Sequence, residues 1–139
     1  IYGVVLASGG AAVNASATAA RRQAIRAERL GRAPLVAATE RTAVAPTGRR
    51  LNEYLQLTAA GATQCTWCSG EIAPAGQHWK DNAVLTHWPV ARAGSLRTGT
   101  GYALIEACCP TCGTLLDTDL AFGDDPPLFD QVEEWPGVA

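Results

Sequence analysis

Apolar and polar positions follow two different periods along this chain, and the change of period divides it. Tyr2-Gly3-Val4-Val5-Leu6 is a short β-branched run closed by Gly9-Gly10, the pattern of a strand. Ala15 to Leu30 is dominated by Ala, Arg, Gln and Glu, strong helix formers. Asn14 or Ser16 can cap that helix with a side-chain oxygen, and Gly31 and Pro34 stop it. The apolar stripe is made only of Ala17, Ala20, Ala24 and Ala27, with Arg22, Arg26 and Arg29 on another side. Alanine removes little area from water at roughly 25 cal/mol per Å², although small residues allow another backbone to come close. Residues 1–33 are therefore expected to be a strand-helix arm that packs on a partner rather than on its own domain.

Residues 34–50, with Pro34, Pro46, Gly48 and scattered Thr and Arg, read as an extended linker. Beyond it the period shortens. Leu51–Leu57, Ala83–Val90, Tyr102–Ala107 and Thr114–Ala121 are strand candidates, and the segment 94–101 has the composition of a hairpin loop. Residues 123–139 form an acidic tail that still carries Leu128, Phe129, Val132 and Trp135, as expected of a segment lying along a surface. The predicted class is α+β: an antiparallel β domain over 51–122 with the arm before it.

Charge sharpens this division. Arg21, Arg22, Arg26, Arg29, Arg32, Arg41, Arg49 and Arg50 are eight of the eleven basic residues, whereas no basic residue follows Glu106. A basic arm and an acidic tail suit docking onto surfaces of matching sign, or simply two solvated faces. No segment has the ~20 continuous apolar residues of a membrane span. The apolar start lacks the basic flank of a signal peptide. Five cysteines, an odd count, fit a reducing cytoplasm and metal binding better than disulfides.

The cysteines carry the strongest chemical signal. Cys65-Thr-Trp-Cys68-Ser-Gly70 and Cys109-Pro-Thr-Cys112-Gly113 repeat one layout, two cysteines three apart and then a glycine. Such turns bring both sulfurs to one point, and two of them supply four thiolates to a tetrahedral ion. The sequence predicts one structural Zn²⁺ on Cys65, Cys68, Cys109 and Cys112, in a zinc-ribbon-like domain. A rubredoxin-type iron centre is the rival occupant, although rubredoxins are shorter chains without such appendages. Four sulfurs leave no open coordination position, so the ion would not activate water. Cys108 lacks the spacing and reads as a small buried hydrophobe.

Other residues weigh less. His78 and His87 have no carboxylate or cysteine at ligand spacing and read as core or surface histidines. Asp117, Asp119, Asp124 and Asp125 could gather Mg²⁺, but the flanking prolines make a turn the simpler reading. Trp67, Trp79, Trp88 and Trp135 either pack over the metal loops or anchor a subunit interface. No phosphate-binding Gly-rich loop, Gly-x-Ser-x-Gly or His-Glu-x-x-His is present, so no catalytic set is assigned.

Several of these residues also carry a family likeness. Tyr54-Leu55, Gly61, Trp79-Lys80, Cys-Cys-Pro-x-Cys-Gly-x-Leu-Leu-Asp at 108–117 and Gly-Asp-Asp-Pro-Pro-Leu at 123–128 resemble the small zinc-containing, gamma-type subunits of ATP-dependent acetophenone and acetone carboxylases. The arm, Tyr2–Leu6 followed by Ala17-Thr18-Ala19-Ala20-Arg21-Arg22, looks like the C-terminal end of hydantoinase B-type large subunits of the same superfamily. The resemblance implies a non-catalytic subunit of a biotin-independent complex that carboxylates a ketone with ATP and bicarbonate. Its partners would be large subunits of hydantoinase A/B type, which hold the active sites. The alternative is a zinc-ribbon module that binds nucleic acid or a regulator through the arginines of 21–50. Such a module should place basic and aromatic groups near its knuckles, where this chain has Glu71, Glu106, Asp117 and Asp119.

Overall fold

The computed structural model describes residues 3–36, 48–90 and 101–129. Among these residues one α-helix, α1 (Ala15–Leu30), precedes seven strands: β1 (Arg49–Arg50), β2 (Leu55–Leu57), β3 (Thr63–Cys65), β4 (Glu71–Ala73), β5 (Val84–Pro89), β6 (Tyr102–Cys108) and β7 (Leu115–Phe122), with a short 3-10 turn at Trp79–Asn82 before β5. The strands form two antiparallel meanders, β1-β2-β3-β4 and β5-β6-β7. The fold is thus α+β, as expected. Most of the linker, the loop 94–100 and the tail from 130 onward lie outside the described residues.

The helix has the predicted bounds. Asn14 caps it by accepting the Ala17 N–H at 3.0 Å, and Gly31 ends it in the left-handed conformation at φ 63°. The run before it is not a strand. Leu6 makes a single bridge to Val13, and the segment folds back on α1 through buried Thr18. The Thr18 hydroxyl accepts from the Val5 N–H at 2.9 Å and lies 3.3 Å from the Val5 carbonyl. A strand needs a neighbouring ladder, and here the helix takes its place.

The arm does not stand off from its own domain throughout. Arg26 stacks on Trp67 with the guanidinium carbon 4.6 Å from the ring centre. Arg29 Nε lies 3.4 Å from Glu106, and Arg32 Nη2 donates to the Pro110 carbonyl at 2.6 Å. The alanine stripe does not make this contact, since Ala20 and Ala24 remain exposed. Arginine stems and planar heads supply the contact area that alanine lacks.

Strand positions differ from the expectation where side chains compete for the backbone. The candidate Leu51–Leu57 yields only β2, because Asn52 Oδ1 accepts the N–H groups of Tyr54 (2.8 Å) and Leu55 (2.9 Å) and holds a turn there. β3 and β4, three residues each, are too short to show an alternation.

The core lies between the meanders and includes Leu55, Ile72, Ala73, Trp79, Ala107 and Leu116, in one cluster with Cys65, Cys109 and Cys112. Lys80 is 1% exposed beside it. Its Nζ lies 2.8 Å from Asp117 and donates to both oxygens of Asp119 (3.0 and 2.8 Å) and to the Leu128 carbonyl (2.7 Å). Asp117 and Asp119 do not lie in the expected turn. They sit on β7, two apart and so on the same face, opposite Ala107 and Ile105 of β6. The turn comes later, at Gly123-Asp124. The Leu128 N–H also donates to Asp119 (3.1 Å), so this ion cluster ties down the segment after β7.

Lys80→Met should destabilise the chain by about 3–5 kcal/mol in denaturant unfolding, because it leaves two carboxylates facing an apolar core without their cation. Burial lowers the Lys80 pKa, but the hydrogen bonds that its ammonium donates to Asp117 and Asp119 more than offset it, and the net shift is upward. The stability contributed is complete below the ordinary lysine value of about 10.4 and is lost as pH rises through the higher native value. The gap between wild type and Lys80→Met should therefore close only at strongly alkaline pH.

Candidate metal centre

The two cysteine pairs occupy equivalent turns. Cys65 ends β3 and Cys68 precedes β4; Cys109 follows β6 and Cys112 precedes β7. The backbone hydrogen bonds repeat. Ser69 N–H donates to Cys65 O and Gly113 N–H to Cys109 O, both at 2.9 Å; Cys65 N–H donates to Gly70 O and Cys109 N–H to Thr114 O, again both at 2.9 Å. This is one knuckle built twice.

The glycines do not play the same part in the two copies. The residue after the second cysteine needs positive φ, and it is Gly113 (69°) in one knuckle but Ser69 (58°) in the other. Ser69 is the only non-glycine residue with positive φ among the described residues. Gly70 answers a different need, since a Cβ there would meet Thr111 Oγ1 at 3.0 Å and Cys68 Sγ at 3.2 Å. Gly113 is crowded too: its Cβ would lie 2.7 Å from the Arg26 carbonyl oxygen.

All four predicted sulfurs converge, each within 4.8 Å of the others. Cys65 Sγ lies 4.0 Å from Cys112 Sγ, and Cys68 Sγ 3.7 Å from Cys109 Sγ. Sulfurs about 2.3 Å from a shared ion form a tetrahedron with edges of about 3.8 Å, so the cluster is the right size. A disulfide requires about 2.05 Å, and all five cysteines are free. Cys65, Cys109 and Cys112 are fully buried, and Cys68 is half-buried. The donor set is therefore fit to hold one tetrahedral metal ion with no position left for substrate.

Electrostatics point the same way. Hydrogen bonds from Cys109, Cys65 and Cys68, with a smaller one from Thr114 (3.1 Å), hold the Cys112 thiol far below its ordinary range. Bonds to Cys109 and Cys112 push Cys65 and Cys68 far above it. Thiols this close cannot all ionise unless a cation shares their charge. The Gly70 N–H adds one donor to Cys68 Sγ at 3.4 Å.

Of the residues weighed against the cysteines, none joins them. Cys108 is fully buried, and burial pushes its thiol up to about 12, in keeping with an inert hydrophobe. His78 Nδ1 accepts the Lys80 N–H at 3.2 Å and its ring meets Phe129 edge-on, while His87 is exposed. Trp67, within the first knuckle, packs against the core cluster with Arg26 over its ring, Trp79 lies in the core, and Trp88 Nε1 donates to Glu106 at 3.2 Å. Sequence reasoning missed Arg26 as a neighbour of the centre. It also missed the Lys80–Asp117–Asp119 cluster, whose signal was two aspartates on one face of a strand.

Ser69→Gly should be neutral or stabilise by up to about 1 kcal/mol, since it relieves a left-handed conformation. Gly113→Ser copies the first knuckle's residue into the second, yet should destabilise by about 1–3 kcal/mol because the new side chain runs into α1. Thermal unfolding of the two variants measures this asymmetry. Cys112→Ser should lose the metal and the cooperative unfolding transition together, read by metal analysis and circular dichroism. Comparison with protein-family models and with curated proteins finds no match to this chain.

Proposed function

We propose that this chain is a non-catalytic structural zinc subunit of a biotin-independent, ATP-dependent ketone carboxylase of the acetophenone/acetone type. The observation that carries the reading is the convergent set of four sulfurs, three of them on fully buried cysteines, in the core cluster of the fold. Four thiolates at tetrahedral spacing suit zinc, in a zinc-ribbon-like pair of knuckles each set between antiparallel strands. An ion so enclosed shapes loops and does not meet substrate. Iron would suit the same sulfurs and would give a coloured protein.

Two features support protein partners of the hydantoinase A/B type. Leu120 and Phe122 (each 57% exposed) and Tyr102 (44%) share the outer face of the β5-β6-β7 meander with Leu104 and Trp88. A contiguous apolar face of this kind is what a subunit interface covers. The arginines that a nucleic-acid module would use are partly spent within the chain: Arg26 on Trp67, Arg29 on Glu106 and Arg32 on the Pro110 carbonyl. Among the described residues no helix is long and apolar enough to cross a membrane, and the reading places the complex in the cytoplasm.

Co-expression with hydantoinase A- and B-type large subunits from the same source tests the proposal. The chain should co-purify in fixed stoichiometry, carrying about one zinc per chain, the capacity of a single four-sulfur site. Recovery as a free monomer that shifts DNA or RNA would contradict it.

A further inference from the structure

A divalent ion on four thiolates carries a net charge of about −2, and here three of the four sulfurs are fully buried. Such a charge is costly in an apolar interior unless an opposite charge lies near it. Arg26 answers that need. It projects from the C-terminal half of α1, is 9% exposed, and lies over the ring of Trp67, the neighbour of Cys68; burial lowers its pKa, and the charge of Cys112 and Cys65 partly offsets this. Its Nη1 is buried without a hydrogen-bond partner among the described residues. Stacking on Trp67 alone would not explain an arginine, because a neutral planar group stacks without the cost of burying a cation.

The helix end is also tied to the second knuckle. Arg32 Nη2 donates to Pro110 O, Leu35 N–H donates to Thr111 O at 3.0 Å, and Gly113 lies directly under the Arg26 backbone. These contacts depend on the shape of a loop that two of the four sulfurs define.

We propose that Arg26 is the counter-cation of the metal–thiolate centre, so that metal loading holds the C-terminal half of α1 onto the knuckles. Arg26 is thus a positioning residue, acting on the metal through the thiolates. The inference rests on the metal-centre reading, and the metal content of the wild-type chain separates the two.

The test uses the full chain purified with its metal, with Arg26→Gln (planar, uncharged) and Arg26→Lys (charged, not planar). Arg26→Gln should retain one metal per chain but release it to a chromogenic chelator about 10-fold to 100-fold faster, the range seen when a group supporting a metal ligand is lost. Amide exchange across residues 15–30 should accelerate while that of β6 and β7 stays unchanged. In cobalt-substituted protein the thiolate-to-metal charge-transfer band should move to lower energy, a change that lost packing alone would not produce. Arg26→Lys should restore the release rate and the band position. Wild-type release and an unmoved band in Arg26→Gln would overturn the proposal, as would Arg26→Lys releasing metal as fast as Arg26→Gln. If Arg26→Gln does not fold, Arg26→Lys alone decides: near-wild-type release supports the charge role, and fast release overturns it. A wild-type chain without metal would remove the metal-centre reading itself.

Discussion

The convergence of Cys65, Cys68, Cys109 and Cys112 is the constraint on which the rest of this structure depends. β3 and β4 are three residues each and β2 is no longer, so that meander has little ladder with which to hold itself. The longer meander contributes the other knuckle, and the sulfurs join the two where a small apolar core alone would be marginal. Core and centre are one cluster: Leu55, Trp79 and Leu116 pack against the cysteines themselves. A change in the geometry of the sulfurs is therefore a change in core packing.

Charge performs the second fastening. Lys80 enters the interior from the short helical turn before β5 and meets Asp117 and Asp119 on β7, with the Leu128 carbonyl completing its shell. Arg26 enters from the helix and lies over the Trp67 ring in the first knuckle. Both cations are buried, and each joins segments that hydrophobic contact leaves loosely held. The alanine-rich helix shows why. Its apolar stripe offers little area, so its placement depends on arginines reaching Trp67, Glu106 and Pro110.

What the sequence makes legible follows from the range of the physics involved. α1 was readable to the residue because a cap, helix-forming composition and a terminal glycine are local signals. The four-cysteine cluster was readable because each knuckle brings two sulfurs together within four residues, and only their pairing is long-range. β6 and β7 were placed to within a residue or two, since both are long enough to alternate. The run at Val4–Leu6 was not, because whether a β-branched run pairs depends on what lies beside it, and its neighbour is Thr18. Leu51–Leu57 shows a polar side chain overriding an apolar pattern. Arg26 and Lys80 were hidden for another reason. A buried cation is recognisable only once its anionic partners are placed, and these lie far along the chain, 39 positions in the case of Lys80 and Asp119.

Structural and catalytic metal centres differ in one measurable respect, whether a coordination position stays open. A purely structural role for the four cysteines requires that none does. X-ray absorption spectroscopy at the metal edge of the purified chain tests that most directly. The expected spectrum is that of zinc with four sulfur neighbours at about 2.3 Å and no nitrogen or oxygen bound to the ion. A set of neighbours in which an oxygen or nitrogen replaces one of the sulfurs would contradict the structural role, and would return the chemistry to this chain.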